Sequence, residues 1–177
     1  MNALIKKGSS FKSSIVLPLD KSIAQRAAIL NVETNDGIVG GDVISTRLAS
    51  KNAIANGEEK LYLGNSGTGI RLLTGYLSGL GRKFNLSGDI SLSKRPMDRI
   101  ADPLNELGAK VSLNNGKPPI NILPSNLKKE FSYRLPIPSA QLKSSLLLAA
   151  LNGKTKIEII EPELSRDHTE KMLKYLE

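Results

Sequence analysis

The 177-residue chain is long enough for one good hydrophobic core, and with 40% hydrophobic and 24% charged residues it is composed like an ordinary globular protein. It has no cysteine and a single histidine, which excludes disulfides, thiolate metal sites and a cysteine nucleophile and leaves no basis for a histidine-rich metal site. The net charge of +8 calls for an anionic partner, yet the basic residues are dispersed, aromatics are 4% and tryptophan is absent, so small anions fit better than nucleic acid.

No apolar run approaches the ~20 residues that span a bilayer. Met1 to Lys7 lacks the apolar stretch of a secretory signal, and a cytoplasmic location is expected. Residues 1–18 read as an edge strand and entry segment, with Ser14 to Pro18 extended ahead of the proline. Asp20-Lys21-Ser22 then opens an apolar helix, Ile23 to Leu30, capped by Asp20 or Ser22, with Ile23, Ala27 and Leu30 on one face. Lys21 and Arg26 stand in its first turns, where the helix dipole disfavours cations, which suggests either a bound anion or a plain surface pair. A turn region rich in Gly and Asp, Asn35 to Asp42, leads to a helix from about Ser45 to Asn56 that carries Leu48, Ala49, Ala53 and Ile54 and ends at Gly57.

Leu61-Tyr62-Leu63 reads as a strand, and Ile70 to Leu80 repeats apolar residues at helical spacing. Between them, Gly64-Asn65-Ser66-Gly67-Thr68-Gly69-Ile70-Arg71 forms a glycine-rich turn from strand end to helix start. Its glycines allow close backbone approach to a ligand, and Asn65, Ser66 and Thr68 can cap the helix. Free N–H groups at the positive end of the helix dipole favour a phosphate or carboxylate there. The spacing matches neither the nucleotide P-loop nor the dinucleotide fingerprint, and a well-capped structural turn fits as well.

Lys83 to Leu86 is the next strand, and Gly88 to Met97 is a polar loop in which Arg95 is held extended before Pro96. A helix from Asp98 to Leu107 closes at Gly108. Ala109 to Leu113 and Ile120 to Leu123 form a hairpin around Asn114-Asn115-Gly116. Phe131 to Leu135 is a strand, Pro138-Ser139-Ala140-Gln141 caps the apolar helix Leu142 to Leu151, and Lys156 to Ile160 is a further strand. Ser165 to His168 is a polar turn before a last helix, Thr169 to Leu176.

Apolar helices with cap-rich starts thus begin near Ser22, Thr68 and Ser139, each followed by an amphipathic helix beginning near Thr46, Asp98 and Thr169. The pattern predicts three αβα-containing units packed side by side, the apolar helices innermost. If those helices run parallel, Lys21, Ser22, Asn65, Thr68, Ser139 and Gln141 line one anion-attracting face. Arg26, Arg71, Arg95 and Arg166 supply guanidiniums suited to carboxylate or phosphate.

Five stretches in order carry a resemblance. They are Asp20-Lys21-Ser22-Ile23 with Arg26, Gly64 to Arg71, Ser91 to Met97, Ser139 to Ser144, and Ser165 to Glu170. Together they resemble the N-terminal part of the EPSP synthases, the 3-phosphoshikimate 1-carboxyvinyltransferases of the shikimate pathway to chorismate and the aromatic amino acids. The resemblance implies an α/β (α+β) fold of two lobes, each built from three βαβαββ units with inner parallel helices, and an active site in the cleft between lobes. Residues 1–18 would then belong to the other, largely absent lobe, and residues 19–177 to a substrate-binding lobe whose third unit is incomplete. The chain reads as a fragment whose missing C-terminal lobe is a required partner, of an enzyme that is monomeric when whole and a target of glyphosate.

By the same resemblance, Lys21 would touch both substrates and transfer a proton. Ser22, Arg26, Ser139, Ala140, Gln141 and Arg166 would hold shikimate 3-phosphate, and Asn65, Gly67, Arg95 and Gln141 would surround phosphoenolpyruvate. The reaction implied needs no metal or organic cofactor, no nucleic acid and no membrane. Leu19 departs from the usual glycine, which predicts a stiffer or displaced loop before Lys21, and Gln25 stands where His or Asn is common. Alternatives are the sister UDP-N-acetylglucosamine enolpyruvyl transferases, whose customary loop cysteine is absent here, and a non-catalytic anion-binding module of the same fold.

Overall fold

The computed structural model describes residues 14, 17–34 and 37–176. Side-chain caps set three helix starts. Asp20 accepts from Ile23 N (2.8 Å) ahead of α1 (Lys21–Leu30), Ser66 accepts from Gly69 N (3.2 Å) ahead of α3 (Gly67–Ser78), and Ser139 accepts from Leu142 N (3.3 Å) ahead of α5 (Ala140–Gly153). The helix expected from Ser45 begins earlier, as α2 (Gly41–Ile54). Asp42 in its first turn complements the helix dipole, so the glycine pair read as a turn is drawn into the helix start. The remaining helices are α4 (Asp98–Leu107), closed by Gly108 at φ 110°, and α6 (His168–Leu176). The polar loop before α4 contains a short 3₁₀ turn, Leu92–Lys94.

Strands β1 (Lys60–Tyr62), β2 (Phe84–Ser87), β3 (Lys110–Asn114) and β4 (Lys117–Leu123) form a sheet of order β1-β2-β4-β3. β1 and β2 run parallel with α3 as the crossover, and β4 is antiparallel to both of its neighbours. The β3–β4 hairpin turns at Asn115 and Gly116, both at positive φ (48° and 73°), as a tight hairpin of Asn-Gly sequence favours. β5 (Glu130–Arg134) and β6 (Lys156–Ile160) form a separate parallel pair with Phe131 beside Ile157 and Tyr133 beside Ile159. The succession β-α-β-α-β-β is complete over residues 60–123, and β-α-β-α recurs over 130–176. Before Lys60 the described residues hold α1 and α2 and no strand. The strand expected before Pro18 lies largely outside the described residues, as do Asn35 and Asp36 of the first turn region.

α3 is buried on nearly every side, including Ile70, Leu72, Leu73 and Leu77, and forms the axis of the core with Phe84, Leu86, Leu104, Leu107, Ile120, Ile122 and Leu146. α5 lies along it in the same direction. Gln141 Nε2 donates to Thr68 Oγ1 (3.0 Å), Ser145 Oγ to Arg71 O (3.1 Å) and Asn152 Nδ2 to Tyr76 O (2.7 Å), so the partners advance together along both helices. The face expected of α1 is only partly right. Ala27 is buried, but Ile23 is 44% exposed, whereas Ala24, Gln25, Arg26 and Ile29 are buried. Gln25 and Arg26 find hydroxyl partners inside, which apolar periodicity cannot anticipate.

Candidate functional site

The parallel packing of α3 and α5 brings the glycine-rich turn and the Ser139-Ala140-Gln141 cap together. Arg71, in the first turns of α3, donates from Nη1 to Gly67 O (3.2 Å) and to Gln141 Oε1 (3.2 Å), and from Nη2 to Pro96 O (3.3 Å). Arg95, carried in by the loop before α4, donates through Nη2 to Asn65 Oδ1. A Cβ on Gly67 would overlap Arg95 Nη1, so the absent side chain is what lets that guanidinium lie over the helix start. Asn65, Gly67, Thr68, Arg71, Arg95 and Gln141 therefore form one cluster. Burial, and then Arg95 and Arg99, push the Arg71 guanidinium below its ordinary value. Among the described residues no carboxylate pairs with Arg71 or Arg95, so the positive charge of this cluster is not neutralised by an ion pair there. A groove of about 750 Å³ lined by Asp89, Ile90, Ser91, Lys94, Arg95 and Pro96 opens beside it.

A second cluster joins α1, α5 and α6. Arg26 is 3% exposed and donates from Nε to Thr169 Oγ1 (2.6 Å), from Nη1 to Ser22 O (2.8 Å) and from Nη2 to Ser144 Oγ (2.9 Å). Burial and the nearby Arg166 lower its pKa against the opposing pull of Glu170 and Asp20. Arg166 itself is exposed. Lys21 is exposed and paired with Asp42 (3.2 Å) in the first turn of α2. Asp42 O accepts from Thr46 Oγ1 (2.7 Å), Thr46 Oγ1 shares a bond with Ser66 Oγ (2.9 Å), and Gln25 Nε2 donates to Ser66 Oγ (2.6 Å). This hydroxyl chain ties the Lys21 end of α1 to the cap of α3. No hydrogen bond or ion pair among the described residues joins Lys21 directly to the Arg71–Arg95 cluster. Leu19 holds its loop through N to Ile38 O (3.1 Å), with its side chain against Gly37.

Residues 39–177 match the family EPSP synthase (3-phosphoshikimate 1-carboxyvinyltransferase). The chain belongs to the EPSP synthase family. Among its relatives, the 3-phosphoshikimate 1-carboxyvinyltransferase of Hydrogenovibrio crunogenus is 36% identical over 96% of this chain and 44% of its own length. That of Streptococcus pyogenes is 39% identical over 92% of this chain and again 44% of its own. A solved EPSP synthase of Acinetobacter baumannii superposes with a TM-score of 0.79 at 36% identity, covering 93% of this chain and 43% of that one. The chain thus spans less than half the length of the relatives it matches. The match favours the shikimate reading over the sister transferase, and the mixed α/β fold is the one the resemblance implied.

The sequence reading missed three site neighbours. Lys143 lies in the first turn of α5 and is 6% exposed, within 2.6 Å of Glu161 and 2.5 Å of Glu170. The available signal was a lone lysine inside the apolar run Leu142 to Leu151, which needs buried acids somewhere in the chain.

Proposed function

We propose that this chain is the substrate-binding N-terminal portion of a 3-phosphoshikimate 1-carboxyvinyltransferase. The observation that supports this best is the convergence of Arg71, Arg95 and Gln141 on the start of α3, with no carboxylate among the described residues paired to either guanidinium. Phosphoenolpyruvate lies there, held by Asn65, the Gly67 backbone, Arg95 and Gln141. Ser139, Ala140, Gln141 and Arg166 hold shikimate 3-phosphate from the α5 side. Ser22 and Arg26 face the ring and its carboxylate, each terminal nitrogen of Arg26 keeping one N–H beyond its internal bond. Lys21, steadied by Asp42, serves both substrates and carries the proton.

In the reaction the shikimate 5-hydroxyl gives up its proton as its oxygen bonds to the enolpyruvyl C2, and the methylene carbon gains a proton to become a methyl. The bond from C2 to the phosphate oxygen then breaks, phosphate leaves, and the methyl gives up a proton to restore the double bond. Two multiply charged anions must approach each other, and clustered guanidiniums lower that repulsion. Residues 1–18 belong to a second lobe, residues 19–177 form most of the first, and the whole enzyme acts as a monomer in the cytoplasm. No described helix is long and apolar enough to cross a membrane.

The test is calorimetric titration of the 177-residue chain with shikimate 3-phosphate at low salt, with shikimate as control. Saturable binding that needs the phosphate is expected, together with little or no phosphate release when phosphoenolpyruvate is added. A folded chain that binds neither compound would overturn the half-site reading, and normal turnover would overturn the need for a second lobe.

Gly67→Ala provides a second test. The obstacle to a Cβ is the far end of a flexible arginine, so folding stability is expected to change by less than about 1 kcal/mol. Arg95 must leave Asn65, and in a two-lobed enzyme carrying this chain glyphosate should inhibit less strongly and phosphoenolpyruvate should show a higher KM. Unchanged inhibition would refute the placement of Gly67, and a two-lobed parent that keeps its activity at glyphosate concentrations that inhibit ordinary members would refute the expectation of a glyphosate-sensitive parent.

A further inference from the structure

Thr169 is the one fully buried residue of α6 among those described, and Met172 and Leu173 are half-buried, so its apolar anchorage is thin. A polar seam adds to it. Lys143 Nζ lies 2.6 Å from Glu161 Oε2 and 2.5 Å from Glu170 Oε1, and Ser165 Oγ donates to the other oxygen of Glu161 (2.5 Å). Beside this joint, Arg26 Nε donates to Thr169 Oγ1 (2.6 Å), and Thr169 Oγ1 donates to Ser144 Oγ (2.7 Å). One ammonium in the first turn of α5 therefore gathers the end of β6, the 161–167 loop and the start of α6.

Replacement of such a buried ion group by apolar residues of the same volume is often neutral or stabilising, so stability alone does not account for a lysine here. What the ion group adds is geometry. Two carboxylates from different elements on one ammonium fix a spacing that sliding apolar surfaces do not. The joint itself sets one ammonium, Lys143, against two carboxylates, Glu161 and Glu170, so it is not an anion receptor. Arg166, carried by the tethered loop, makes no ion pair among the described residues.

We propose that Lys143 is a positioning residue that fixes the loop bearing Arg166 against the α5 start bearing Ser139, Ala140 and Gln141, and so sets the spacing of the two segments for one phosphorylated ligand. The part of this inference that concerns the ligand rests on the shikimate 3-phosphate reading above.

The test uses the 177-residue chain and two variants: Lys143→Met, and the neutral triple variant Lys143→Met, Glu161→Gln, Glu170→Gln, which leaves no orphaned charge if the single change fails to fold. Amide hydrogen exchange and titration with shikimate 3-phosphate and with shikimate are read together. In the folded triple variant, exchange over residues 161–176 is expected to rise about tenfold or more while residues 60–123 keep their protection. Affinity for shikimate 3-phosphate should fall about tenfold or more, and that for shikimate much less. Unchanged protection of 161–176, or raised exchange with undiminished phosphate-dependent binding, overturns the proposal. If the unaltered chain binds no shikimate 3-phosphate, the half-site reading fails. The exchange result then decides the tether alone, a rise supporting it and unchanged protection refuting it.

Discussion

Lys143→Met is expected to destabilise the chain by about 3 kcal/mol, the lower end of the range for removing one partner of a buried ion pair. The Glu161 side chain is only 10% exposed and would be left with Ser165 as its remaining partner, which is the main source of the loss. The Glu170 side chain is 35% exposed, so water recovers much of its solvation and its share is discounted. The loss should appear as a lowered urea midpoint with an unchanged m-value. The neutral triple variant should recover most of it, because the cost lies in the stranded carboxylates rather than in the missing ammonium. A single variant as stable as the original chain would show that Glu161 reaches water without hindrance.

The same seam fixes a pH window. Burial pulls the Lys143 ammonium down, but hydrogen bonds from it to Glu161 and Glu170 outweigh that and raise its pKa above the ordinary 10.5. Burial likewise raises Glu161, and the bonds it accepts from Lys143 and Ser165 outweigh that and lower it below the ordinary 4.5. A raised lysine stabilises fully below its unfolded value and loses its contribution as pH climbs through the folded one. A lowered glutamate stabilises fully above its unfolded value and loses its contribution as pH falls through the folded one. The contribution of the seam is therefore complete between 4.5 and 10.5 and fades outside those limits. In the triple variant this part of the pH dependence should vanish.

The elements that were legible beforehand are those with strong local punctuation. Ser66 and Ser139 lie before apolar runs and cap α3 and α5, Gly108 closes α4, and Asn115-Gly116 turns the hairpin, each for a reason confined to a few neighbouring residues. Parallel inner helices are a condition of the sequence reading and an implication of the resemblance, and for α3 and α5 the Gln141–Thr68, Ser145–Arg71 and Asn152–Tyr76 bonds together show that course. What could not be read depended on distant partners. Arg26 reads from the sequence as facing either a bound anion or a surface partner, and its burial, with hydrogen bonds donated to Ser144 and Thr169 more than a hundred residues away, has no local signal. Ile23 looked like core and is exposed for the complementary reason, since polar Gln25 and Arg26 occupy the inward side of α1. Lys143 was hidden among leucines, with its acids on elements that only the tertiary fold brings near. Periodicity reports apolar burial, and polar burial has no period.

The close packing of α3 against α5 leads to the other large expected effect. Gly75→Val should destabilise the chain by more than about 3 kcal/mol, beyond the usual range for overpacking. A Cβ at Gly75 would overlap Ser145 O and come within 2.5 Å of Ser145 Oγ and 2.7 Å of Ser145 C. These atoms belong largely to the backbone of α5, which no rotamer change can move aside, in contrast to the arginine tip that opposes a Cβ at Gly67. The helices must separate, yet the Gln141–Thr68, Ser145–Arg71 and Asn152–Tyr76 bonds hold them together along the shared length. Separation near Gly75 therefore strains the Gln141 end as well, and withdraws Gln141 from Arg71 at the proposed anion-binding face. Gly75→Ala separates the opposing terms, since alanine gains about 1 kcal/mol of helix propensity and meets the same backbone. It should still be destabilised, by less than the valine variant, and both should lose affinity for shikimate 3-phosphate in step with stability. Denaturant unfolding followed by circular dichroism measures the first effect and calorimetry the second. An alanine variant more stable than the original chain would mean that the two helices part at little cost, and that their contact does not set the geometry of the site.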